Sequence, residues 1–118
     1  MFDIETLREY CLSQKCATED LPFGPDVLVF KVMGKMFALV PLDSERLQIN
    51  LKMDAELVPE YREKYSGVIP GYHMNKRHWI SVHFHSDVDD AMIRDLVKNS
   101  YELIVKSLTK KQRDEYSR

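Results

Sequence analysis

Between Ile93 and Leu108 the residues Ile93, Leu96, Val97, Ser100, Tyr101, Ile104, Val105 and Leu108 recur at intervals of three and four. That spacing puts an unbroken apolar stripe along one side of a long helix. The stripe has to be buried against something. Upstream, the pattern changes to that of strands: Val27–Val32 and Lys35–Val40 are β-branched and apolar, with Met33-Gly34 between them as a two-residue turn. Leu47, Ile49, Leu51 and Met53 alternate with Gln48, Asn50 and Lys52, which predicts a strand with one buried and one solvated face. From His78 to His85, Ile80, Val82 and Phe84 share one face, while Trp79, Ser81, His83 and His85 share the other.

Three further helices are predicted. Asp3 caps the first, whose Ile4, Leu7 and Cys11 form a short stripe fading near Lys15. Thr18 to Pro25 reads as a loop around Phe23. Asp54 starts the second helix, which runs to about Tyr65 with a break expected at Pro59, where a proline suits the first turn better than the interior. Asp87 is expected to cap the long helix. Thr109 to Gln112 has the form of a capping box, opening a short terminal helix. Gly67 to Gly71 is a connector with room for a short extended piece. The resulting fold class is α+β: a two-layer sandwich, an antiparallel sheet with helices on one face.

The 118 residues suit one domain spanning 1–118, large enough to bury a core without disulfide or metal staples. No basic stretch followed by an apolar run opens the chain, and no apolar run reaches about 20 residues. Cys11 and Cys16 match no zinc spacing. A cytoplasmic protein with free thiols, outside the membrane, is expected. The formal net charge of −2 disfavours a strongly electrostatic DNA binder. Its distribution is uneven. Residues 1–26 carry Asp3, Glu5, Glu9, Glu19, Asp20 and Asp26 against Arg8 and Lys15, whereas 27–83 are mildly basic, with Lys31, Lys35, Arg46, Lys52, Arg62, Lys64, Lys76 and Arg77 against six acids.

The most informative segment is GVIPGYHMNKRHWISV, from Gly67 to Val82. Tyr72, His73, Asn75, Lys76, Arg77, His78 and Trp79 place cations for phosphates, an amide for a base edge and aromatics for stacking side by side. On the residues alone a structural reading outweighs this one, since two adjacent cations are common on any surface. The segment VIPGYHMNKRHW resembles the signature of the MmcQ/YjbR family of small bacterial proteins. LPFGPDVLVFKVMGKMFAL resembles its first hairpin, and the Asp-rich start of the last long helix with the Ser100-Tyr101 pair is similar too. The resemblance implies a CyaY-like, frataxin-like fold and a double-wing arrangement for binding DNA. The hairpin around Met33, Gly34 and Lys35 would be one wing and Pro70 to His78 would belong to the other. The chain departs from the common family pattern at Ile80-Ser81, where Asn and Thr are frequent.

Competing chemistries are weaker. His83 and His85, on one strand face near His73 and His78, could ligate a metal, but no H-E-x-x-H motif or cysteine pair accompanies them. The acidic N-terminal part could attract a hard cation, although acids near a helix start serve the dipole equally well. Ser81 lacks a nucleophile elbow, and Cys11 lies on an apolar stripe. The sequence therefore predicts no enzyme, no metal and no cofactor. It predicts a monomer or weak dimer that binds double-stranded DNA through Lys31, Lys35, His73, Asn75, Lys76, Arg77, His78 and Trp79. The alternative is a protein-interaction module docking a partner or peptide on the sheet or groove, with Met33, Met36, Met53 and Met74 as adaptable contacts, Met36 and Met53 being the better fits for core filler. The two readings part on where the basic side chains fall. Lys31, Lys35, Lys52, Lys76 and Arg77 on one surface would favour nucleic acid, and a scatter around an apolar groove would favour a partner protein.

Overall fold

The structure, a computed structural model, describes residues 3–71 and 74–118. The elements run α1 (Ile4–Leu12), β1 (Ala17–Asp20), β2 (Val27–Val32), β3 (Lys35–Pro41), β4 (Gln48–Lys52), α2 (Val58–Lys64), β5 (Val68–Pro70), β6 (Trp79–His83), α3 (Asp90–Lys106) and α4 (Lys110–Tyr116). The strands form a six-stranded antiparallel sheet in the order β1-β2-β3-β4-β6-β5. The α+β class read from the sequence is the observed one.

Cross-strand registers sort the side chains onto two faces. Phe30, Ala38, Leu51, Ile80 and Val82 share the inner face and join the core with Leu7 and Cys11 of α1 and Ile93, Leu96, Val97, Tyr101 and Ile104 of α3. Each aliphatic side chain fully buried there contributes roughly 1.5–3 kcal/mol relative to exposure. Phe30 and Phe37 sit with centroids 6.4 Å apart, and the Tyr101 ring meets Phe37 edge-on at 5.3 Å. Met53 is also in this core, as its core-filler reading expected.

The hairpin between β2 and β3 is closed by two residues with positive φ, Met33 at 51° and Gly34 at 81°. Positive φ at both central residues is what a tight turn matching the strand twist requires. Lower in the same hairpin the pairing passes from Phe30 opposite Ala38 to Lys31 opposite Met36, so Phe37 is an extra residue in a bulge. There the Ser100 hydroxyl of α3 donates to the Phe37 carbonyl at 2.6 Å and accepts from the Lys52 N–H at 2.9 Å. A side chain of α3 thus fills the gap in the ladder between β3 and β4.

Several expectations need correction. Thr18 to Pro25 is not all loop, because Ala17–Asp20 pairs with β2 as the outermost strand. Its Glu19 is held by the Arg8 guanidinium of α1, an interaction no local pattern announces. The first helix ends at Leu12, capped by Ser13. The second helix starts at Val58, with the proline in its first turn as anticipated. Asp89, not Asp87, caps α3, accepting from the Met92 N–H at 2.8 Å. Asp87 instead accepts from the N–H groups of Ser66 and Gly67 at 2.7 and 2.8 Å, tying the start of α3 to the start of β5. Asp3 caps α1 and Thr109 forms the capping box of α4, as read from the sequence.

Candidate functional site

The helices leave one face of the sheet to the loops. Val29, Leu39, Gln48, Asn50, Lys52, Trp79, Ser81 and His83 point to it. The expected solvated face of β4 is not solvated: Gln48 is 7% exposed and Asn50 3%, while Ser81 beside it is fully buried. The Ser81 hydroxyl donates to the Asn50 side-chain oxygen across the strands. Burial of these polar groups is tolerable because they are paired. Beside Asn50 stand Phe23, in the loop before β2, and Met74, in the connection between β5 and β6. With Val27, Met36, Leu39 and Asn50 they bound a pocket of about 370 Å³.

The connection bearing Met74 leaves the sheet at Gly71, whose N–H donates to the Trp79 carbonyl at 3.2 Å. A Cβ at Gly71 would lie 2.9 Å from that oxygen, so only glycine lets the two chains approach this closely. Asn75 then organises a single turn: its backbone carbonyl accepts from His78 and Trp79, and its Oδ1 accepts from the Arg77 N–H at 2.9 Å. Lys76 and Arg77 project from this turn, exposed, with the Lys76 amine also donating to the Gly71 carbonyl at 3.3 Å. The His78 carbonyl accepts from Met53, which places the turn beside the end of β4, where Lys52 faces Trp79 across the strands. His73, assigned to the same site, lies outside the described residues.

The first hairpin is arranged differently. Lys31 points to the open face but lies 3.7 Å from the Asp20 carboxylate. Lys35 donates to the Ser107 carbonyl at 2.8 Å on the helical side, and Gln112 of α4 donates to the Met33 carbonyl at 3.4 Å. The hairpin tip is therefore held against the C-terminal helices. Of the proposed nucleic-acid residues, Asn75, Lys76, Arg77, His78 and Trp79 come together, Lys31 stands further along the open face, and Lys35 leaves the group. Lys52, counted from the sequence among the cations to be located but not among the contact residues, is brought beside Trp79 by the register.

The histidines do not share a strand face, because β6 ends at His83 and exposed His85 adopts φ 55°. His83 is half-buried, its Nε2 3.1 Å from Gln48 Oε1, which as an amide oxygen accepts and so leaves the proton on Nε2. Burial pushes the His83 pKa below its ordinary value, and the nearby Arg46 pushes it further. A folded pKa below the unfolded one means the unfolded chain binds the extra proton first. The stability from neutral His83 is thus full above the unfolded pKa near 6.5 and is lost as the pH falls through the folded value. We expect urea midpoints to fall between about pH 7 and 5 and the slope to flatten in His83→Gln; an unchanged slope in the variant would place its cause elsewhere.

Of the acidic N-terminal residues, Asp3 is engaged in capping, Glu19 with Arg8, and Asp20 with Lys31 and with the Leu21 N–H. Buried Cys11 has its thiol pushed up to about 12 by burial, which makes it a packing group. Among the described residues no three His, Cys, Asp or Glu side chains group to hold a metal, and no helix is long and apolar enough to cross a membrane.

The relatives found by sequence are described as uncharacterized proteins. The chain is 43% identical to the uncharacterized protein YbdF of Escherichia coli O157:H7 over 94 residues, covering 76% of this chain and 74% of that one. It is 31% identical to the uncharacterized protein YjbR of Escherichia coli K12 over 110 residues, 93% of each chain. In three dimensions it is similar to Deinococcus radiodurans protein DR2400, a DUF419 domain, with a TM-score of 0.90 and 33% identity over 99% of this chain and 89% of that one. A Pseudomonas syringae protein follows at TM-score 0.76 and 29% identity, covering 86% of this chain and 98% of that one. The YjbR family model matches residues 12–103, from the end of α1 through the Ser100-Tyr101 pair, and with these relatives it establishes that the chain belongs to the YjbR family.

Proposed function

We propose that the chain is a non-enzymatic DNA-binding module that meets the phosphates of a duplex at the corner formed by the 75–78 turn and the end of β4. The observation that carries this reading is that Lys52, Lys76 and Arg77 gather beside Trp79, and among the described residues none of the three is in an ion pair. A cation already neutralised by a carboxylate has little to offer a phosphate; of these three, Lys76 donates only to the Gly71 carbonyl, at 3.3 Å. Asn75 uses its side-chain oxygen to hold the turn, which leaves its amide N–H groups for a base or sugar. Lys31 stands beside the Asp20 carboxylate and Lys35 is turned to Ser107 on the helical side, so both take a lesser part.

Fluorescence anisotropy with a labelled random duplex across a salt series tests the proposal. Binding should weaken along a log–log line with a slope of about two to three, one unit per phosphate neutralised. The double variant Lys76→Ala, Arg77→Ala should keep its stability within about 0.5 kcal/mol and lower the slope by about two. No binding at low salt would eliminate the DNA reading. The alternative, a partner protein docked on the sheet, would give binding that scarcely responds to salt.

A further inference from the structure

The pocket on the open face uses different side chains from the cationic corner, and it has the features of a ligand site. Its walls come from three stretches far apart in sequence: Phe23 before β2, Met36 in β3 and Met74 between β5 and β6. Its volume of about 370 Å³ lies at the low end of small-molecule sites, which are mostly apolar with a few placed polar groups. Phe30, Phe37 and Phe84 are almost wholly buried, whereas Phe23 is 62% exposed at the mouth. Left in water, an aromatic ring forgoes a large burial energy that an occupant would recover. Methionines on the facing walls adjust to the shape of what enters.

Charge then selects the occupant. Asp43 is the only charged side chain among the described residues lining the pocket, and Asn50 is the polar group at its floor. An ionised carboxylate only accepts hydrogen bonds, so its complement is a donor or a cation. Arg46 lies beyond Asp43 in the neighbouring depression, but its guanidinium is turned to the carbonyls of Phe84 and His85 and does not pair with that carboxylate. An anionic ligand would set its charge against Asp43, with no cation among the described lining residues to offset it.

We propose that this pocket binds a small amphipathic amine, its apolar body of one or two rings lying between Phe23, Met36 and Met74 and its ammonium on Asp43. The test uses the full chain with 13C-methyl methionine, titrated with tryptamine and separately with indole-3-propionate, the same ring bearing the opposite charge. Tryptamine should shift the Met36 and Met74 methyls along a saturating curve. Met53, in the core on the other side of the sheet, and Met92, on α3, should stay in place. Asp43→Asn should weaken the tryptamine curve about threefold to fivefold, the scale of an exposed ion pair, and leave binding of the DNA duplex unchanged. Equal shifts from indole-3-propionate would overturn the cationic assignment. Shifts of similar size at Met53 and Met92, or none anywhere at millimolar tryptamine, would overturn the site. A response only to a peptide carrying an apolar residue beside lysine would give the pocket to a protein partner instead.

Discussion

Phe37→Ala should lower the stability of the chain by about 3–5 kcal/mol, the largest loss expected from one substitution here. Phe37 is fully exposed to neither solvent nor loop: it has no accessible surface and lies between Phe30 and the edge-on ring of Tyr101. Removing the ring forfeits its transfer energy and leaves a cavity that neighbours in a bulge cannot collapse into, because Ser100 fixes the Phe37 backbone to α3. A domain of this size has a total stability of about 5–15 kcal/mol, so the loss is a large fraction of the whole. Urea denaturation followed by tryptophan fluorescence should show a lower midpoint with an unchanged slope. Phe37→Leu should lose less. A midpoint that moves by under about 1 kcal/mol in the alanine variant would mean the site is not packed as described.

Ser100→Ala should cost about 2–4 kcal/mol, far more than the single oxygen suggests. The hydroxyl serves two backbone groups, the Phe37 carbonyl and the Lys52 N–H, which the bulge keeps from pairing with each other. Without it both lose their partner inside the protein, at about 1–3 kcal/mol for each group left unsatisfied. Native-state hydrogen exchange gives the sharper readout. The Lys52 amide should lose protection beyond the drop in global stability, while the amides of Ile49 and Leu51 should follow the global change. Equal losses at all three would show that Ser100 does not hold this N–H.

These two residues also show what the sequence reveals and what it withholds. The stripe from Ile93 to Leu108 was legible because a helix repeats one geometry, and Ser100 could be seen to lie on the buried side of it. What Ser100 does there was not legible, since that depends on an extra residue in a strand more than sixty positions earlier. Gln48, Asn50 and Ser81 read as solvated because their alternation with apolar residues is local, whereas their partners come from across the strands, Ser81 to Asn50 and His83 to Gln48, and the distant Phe23 and Met74 reach only Asn50. The Asp87 and Asp89 caps were confused for a similar reason. Two aspartates two residues apart satisfy the same local rule, and the N–H groups of Ser66 and Gly67 claim one of them. Ala17–Asp20 is polar and carries no strand pattern; its pairing with β2 and the bridge from Arg8 to Glu19 make it a strand. For the candidate site, the turn from Asn75 to Trp79 was visible as a motif. Phe23 was read as a loop aromatic, Met74 as an adaptable contact and Met36 more as core filler, and their meeting in one pocket is a product of the fold.

The two outermost strands bear on how the chain behaves in a crowded solution. A sheet that ends in a long, regular strand offers its unpaired N–H and C=O groups as a template for other chains, the first step towards fibrils. Here β1 has four residues, with Glu19 drawn back by Arg8 and the Asp20 carboxylate folded over to the next N–H, that of Leu21. At the far side β5 has three residues and ends on Pro70, which has no N–H to donate. A newcomer strand would find too few donors in register at either end. Two short strands, one of them unannounced by any local pattern, thus act as terminators, limiting growth of the sheet from one molecule into the next.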